Sequence, residues 1–131
     1  MSQPDLPDDV RRLIQTSIPT LEALEIVLLL ARDPGREWHA QAIPQLLVPT
    51  PVSEAAVSQY LAVLAEQGIV SVRDDQRFVY EPRTPEITRA IEGLIVAYHQ
   101  RPVTLIRTVY ASAEMRTIQS FASAFRLRRD V

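Results

Sequence analysis

The sequence predicts a mainly α-helical single domain that carries one two-stranded β-hairpin, and three observations support this. Apolar residues recur at three- and four-residue spacing along most of the chain, and the period drops to two only over residues 69–81. An Asp74-Asp75-Gln76 turn splits that alternating stretch in half. The length of 131 residues, 47% of them apolar, suits one domain with a modest core and leaves no room for a second.

Residues 1–7 hold two prolines and Asp5 and are expected to form a disordered lead. Over 8–17, Val10, Leu13 and Ile14 fall at helical spacing, and Ile18-Pro19-Thr20 breaks that helix. Thr20 is placed to cap a second helix over 21–33, whose run from Ile26 to Ala31 is apolar on nearly every side and so calls for burial. Pro34-Gly35 ends it, because proline cannot continue the ladder and glycine accepts the left-handed backbone of a helix end.

A short extended piece is expected at 36–38, a helix at about 40–47, a proline-bounded turn at 48–52 and a helix at about 53–67. Pro44 falls inside the first of these helices, where its missing N–H removes a backbone bond, so only 44–47 is expected to be regular. Gly68 ends the second, and the hairpin follows with strands over 69–73 and 77–81. Thr84-Pro85-Glu86 is a strong helix start, with a cap hydroxyl, proline at the first helical position and a carboxylate near the positive end of the dipole. The helix over 85–100 carries Ile87, Ala90, Ile91, Leu94, Ile95 and Tyr98 as one stripe. Arg101-Pro102 opens another helix, and Ser112 is expected to cap a last one containing Met115, Ile118, Phe121, Ala122 and Phe125.

Helix, turn, helix and hairpin in that order make a winged helix-turn-helix over residues 36–82, flanked by N-terminal helices over 8–33 and C-terminal helices over 84–131. The stretch Val57-Ser58-Gln59-Tyr60-Leu61-Ala62-Val63-Leu64-Ala65-Glu66-Gln67-Gly68-Ile69-Val70 resembles the recognition helix of bacterial ArsR-type and MarR-type transcription regulators. Val57, Leu61 and Leu64 recur at i, i+4 and i+7 and pin the helix to the core. Glu54, Ala55, Ser58, Gln59 and Ala62 are left facing outward. The resemblance implies that this helix reads double-stranded DNA in the major groove, with Ser53, Ser58 and Gln59 toward bases and Arg73 and Arg77 of the wing on the backbone or in a minor groove. It also implies that flanking helices form a dimer interface. Leu21–Ala31 and the stripe from Ile87 to Tyr98 are the expected contributors to a homodimer.

Charge works against the DNA reading. Residues 1–35, 36–83, 84–100 and 101–131 carry −3, −2, −1 and +4, so the tail alone is basic. The helix over 53–67 contains no arginine, which removes the bidentate guanine contact. All fourteen basic residues are arginine, a bias given no functional weight. The alternative is a winged-helix adaptor that binds another protein through the same weakly charged face or through Phe121, Phe125 and the arginines 126, 128 and 129.

The chain lacks cysteine, which excludes a disulfide framework, a cysteine-based zinc site and thiol catalysis and favours a cytoplasmic location. Its longest aliphatic run falls far short of the roughly 20 residues of a membrane helix, and its acidic N-terminus does not read as a signal peptide. Only His39 and His99 are present and they are far apart, so no metal or other cofactor is expected. There is no phosphate loop, nucleophile elbow or HExxH, and Asp74 and Asp75 are turn formers first, so no enzymatic activity is expected.

Overall fold

The computed structural model describes residues 6–47 and 52–129, with side chains as far as Met115. Helix α1 (Asp8–Ser17) buries Val10, Leu13 and Ile14. Helix α2 (Leu21–Ala31) starts at Thr20, whose Oγ accepts the Ala23 N–H at 3.1 Å. It buries Ala23, Leu24, Ile26, Val27, Leu28 and Leu30, so it is covered on most of its circumference. Leu6 is 4% exposed and packs in the same core, so the end of the expected disordered lead is docked on the body. Residues 1–5 and the turn residues 48–51 lie outside the described residues.

The extended piece is strand β1 (Glu37–Trp38), which corrects the expected two-stranded hairpin to a three-stranded antiparallel sheet. Strands β2 (Val70–Arg73) and β3 (Arg77–Tyr80) form the hairpin, and β1 pairs with β3, giving the order β1-β3-β2. Register sets Glu37 opposite Val79 and Trp38 opposite Phe78 on one side of β3, and Ser71 opposite Val79 and Arg73 opposite Arg77 on the other.

The helix expected over 40–47 is instead two 3-10 turns, Ala40–Ala42 and Pro44–Leu46. Pro44 has no N–H to close an α-turn, and the segment uses three-residue bonds such as Ile43 N–H to Ala40 and Leu47 N–H to Pro44. Buried Ile43 and Leu47 anchor it to the core. The next helix, α3 (Glu54–Glu66), packs against the first of these turns and against β2.

Helix α4 (Pro85–Gln100) begins as expected, with Thr84 Oγ accepting the Ile87 N–H. A Cβ built on Gly93 would sit 2.8 Å from Val10 Cγ2, so α1 and α4 approach closely only because that position has no side chain. Helix α5 (Pro102–Arg129) runs unbroken, so Ser112 does not cap a separate helix. Alanine, glutamate and methionine around Ser112 are strong helix formers, and one interior serine costs too little to stop the ladder. Leu105 and Val109 fix the first turns of α5 to the core. The structure is therefore mainly helical with one small sheet. Among the described residues no single helix is long and apolar enough to cross a membrane.

Gly68 closes α3 with φ +79°, and its N–H and that of Ile69 donate to Ala65 and Leu64 as a paired C-terminal lock. A Cβ there would lie 3.2 Å from Arg83 Cβ, in addition to adopting a backbone that side chains disfavour. Gly68→Ala is expected to lower unfolding free energy by about 1–2 kcal/mol, read as a reduced urea midpoint at unchanged slope.

Candidate nucleic-acid interface

The three apolar residues that pin α3, Val57, Leu61 and Leu64, are fully buried, as their spacing requires. The opposite face presents Glu54, Ala55, Ser58, Gln59 and Ala62 to solvent. Ser53 begins the helix, and its Oγ accepts the Ala56 N–H at 3.1 Å. That hydroxyl is thus held by the cap, while Ser58 and Gln59 remain available to an external partner. With Glu54 in the first turn and no arginine along the helix, the exposed face carries no positive charge.

The hairpin turn joins β2 to β3 through Asp74–Gln76, where Asp75 and Gln76 take φ of +62° and +59°. Aspartate tolerates that left-handed backbone better than most residues, which accounts for Asp75, and Gln76 beside it adopts the same conformation. Val72 is 55% exposed on β2. Arg73 and Arg77 are directly paired in the ladder, so two guanidiniums share the end of the hairpin.

Both guanidiniums already have carboxylate partners. Arg73 Nη2 lies 3.3 and 3.2 Å from the two carboxylate oxygens of Glu81. Arg77 donates to the Glu37 carboxylate, lies 3.9 Å from Asp75 and gives its Nε–H to the Asp74 carbonyl at 3.3 Å. All these groups are partly exposed, so the pairs sit in high dielectric and are open to exchange. The sequence reading named the arginines and missed Glu37 and Glu81. Glu37 is legible only once β1 is known to pair with β3, which sets it opposite Val79 and diagonal to Arg77.

One further cation contact borders the sheet: the Arg36 guanidinium lies 3.9 Å from the Trp38 ring centroid. The Trp38 Nε1–H is buried and makes no hydrogen bond among the described residues. Neither histidine is part of this surface. His39 precedes the first 3-10 turn, and the His99 ring contacts the Ile95 carbonyl through Nδ1 at 2.9 Å. Among the described residues no group of three or more histidines or carboxylates is gathered to hold a metal. No family model, curated protein or solved structure matches this chain.

The Glu81 carboxyl is held below its ordinary value of 4.5, first by a hydrogen bond from Ser71 and then by the Arg73 charge. Since the folded value is the lower one, the pairing is present above the ordinary carboxylate range. It is lost as pH falls through the folded value. A carboxyl carbon-13 titration should therefore place the Glu81 midpoint below 4.5. Ser71→Ala and Arg73→Ala should each move that midpoint back up toward 4.5.

Proposed function

We propose that the chain is a winged helix-turn-helix transcription regulator that binds double-stranded DNA with α3 and the β2–β3 wing. One observation carries this reading. A buried helix, a short strand, a compact helical turn, α3 and a hairpin follow one another, and the first short strand pairs with the second hairpin strand, which is thereby central in the order β1-β3-β2. That arrangement leaves the Ser58 and Gln59 face of α3 and the wing arginines open to a duplex. Gln59 suits adenine and Ser58 either base, while Arg73 and Arg77 take phosphates in exchange for Glu81 and Glu37.

Binding of mixed genomic DNA fragments, followed by fluorescence anisotropy between about 50 and 200 mM salt, tests the reading, because phosphate contacts weaken steeply over that range. Salt-sensitive binding is expected, and Arg73→Glu with Arg77→Glu should abolish it. Glu37→Gln with Glu81→Gln should tighten it and steepen the salt slope by up to about 2, one counterion for each released arginine. An absence of binding at the lowest salt favours the protein-adaptor reading. The cation-free face of α3 is the observation on that side.

The proposed regulator is a two-fold dimer, since paired reading helices match paired half-sites. The faces expected to form it are largely buried within one chain, with Leu21, Leu29, Ile87, Ile95 and Tyr98 partly exposed. Six apolar residues of α2, and Ala90, Ile91, Leu94 and Ala97 of α4, lie in the core of the single chain. Apolar side chains open to a second copy are Val96 on α4 and Val103, Tyr110 and Met115 on α5, each at least half exposed. Light scattering is expected to give a dimer mass for the native chain and a monomer mass for Tyr110→Glu with Met115→Glu. The Phe121 and Phe125 side chains and the arginines 126, 128 and 129, named as an adaptor surface, lie outside the described side chains.

A further inference from the structure

A cleft of about 320 Å3 opens between α1, the start of α4 and the exit of α3. Its floor is apolar: Leu13, Ile69 and Ala90 are buried residues whose surfaces reach it. Its rim carries Asp9, Arg12 and Glu86, all exposed. None of the three forms an ion pair among the described residues, whereas Asp8 and Arg11 in the same turns of α1 pair with each other. A carboxylate in the first turn of a helix is accounted for by the helix dipole, which covers Asp9 and Glu86. Arg12 lies in the middle of α1, where no dipole explains it.

Thr16 and Ser17 also line the cleft, but their hydroxyls are engaged locally. Thr16 Oγ donates to the Arg12 carbonyl at 3.0 Å, and Ser17 Oγ lies 3.1 Å from Thr16 Oγ. What the site offers a ligand is therefore an apolar floor, two carboxylates and one guanidinium. A cleft of this volume is at the small end of ligand sites, which sets the scale at a small metabolite.

We propose that this cleft binds a small zwitterion with an apolar side chain, the chemistry of an apolar α-amino acid. The ligand ammonium faces Asp9 and Glu86, its carboxylate takes the Arg12 guanidinium, and its side chain covers Leu13, Ile69 and Ala90. Gln67, the residue that ends α3, also borders the cleft, so an occupant touches the helix assigned to DNA. That coupling rests on the DNA-binding reading, whereas the binding itself does not.

Titration of the full chain with L-phenylalanine in the absence of DNA, followed through amide resonances, tests the binding alone. Saturable shifts at Gln67, Ile69 and Ile87 are expected. Phenethylamine and 3-phenylpropionate, each lacking one of the two charges, should bind about tenfold more weakly, the scale of one lost charge-assisted contact. Arg12→Ala and Glu86→Gln, both at exposed positions, should each weaken L-phenylalanine by about fivefold or more while leaving the other resonances in place. No saturation by about 10 mM, or equal affinity for either single-charge analogue, overturns the proposal. Because no DNA is present, either outcome is independent of whether α3 binds a duplex.

Discussion

The structure depends on the burial of α2. A helix with apolar residues around most of its circumference has no face to give to water, so other elements must enclose it. Helices α3 and α5 and strand β3 all pack on it. Six of its eleven residues are buried, and Leu21, Leu29 and Ala31 pack against the same core. Each fully buried aliphatic side chain is worth about 1.5–3 kcal/mol relative to exposure, so this one helix contributes a large share of the apolar stabilisation. Elements carrying the candidate interface are positioned because they are also the walls around α2. The same residues of α3 that touch the core, Val57, Leu61 and Leu64, decide which side of that helix meets solvent.

Elements whose ends are set by local chemistry were legible in the sequence. Thr20, Ser53 and Thr84 each place a hydroxyl on the N–H three residues on, and helices over 8–17 and 85–100 have the bounds that spacing, proline and cap residues give. Elements set by distant partners were not. Strand β1 is two residues long, too short to show any period, and exists because β3, forty residues later, supplies its hydrogen bonds. Ser112 is a reasonable cap residue by type, yet the helix formers beside it carry the ladder through. Leu6 is a single apolar residue in an acidic, proline-containing stretch, so only packing reveals its place in the core.

The candidate interface divides in the same way. Exposure of Ser58 and Gln59 follows from the apolar positions beside them, and the structure leaves both open to solvent. The engagement of the Ser53 hydroxyl was not anticipated: Ser53 was expected to face bases, and its Oγ instead accepts the Ala56 N–H as the helix cap. The partners of Arg73 and Arg77 were hidden. Arg77 meets Glu37 across forty residues of chain, and only the pairing of β1 with β3 brings them together.

Those ion pairs govern what the hairpin does to an anion. Exposed pairs of this kind contribute about 0–1 kcal/mol each, so replacing a carboxylate with a phosphate costs little in lost pairing. The released carboxylates do not leave, however. Glu37, Glu81, Asp74 and Asp75 stay on the same small sheet and its turn, and their charge opposes the approach of a polyanion over about a Debye length, 8–10 Å at ordinary ionic strength. Arginine on the hairpin therefore does not by itself produce the strong non-specific attraction of a basic surface. Under the DNA-binding reading proposed above, affinity for a duplex comes from contacts made after docking, through α3 and the hairpin, and less from long-range attraction. On that reading the surface is expected to bind arbitrary DNA weakly and to take its selectivity from shape and base contacts.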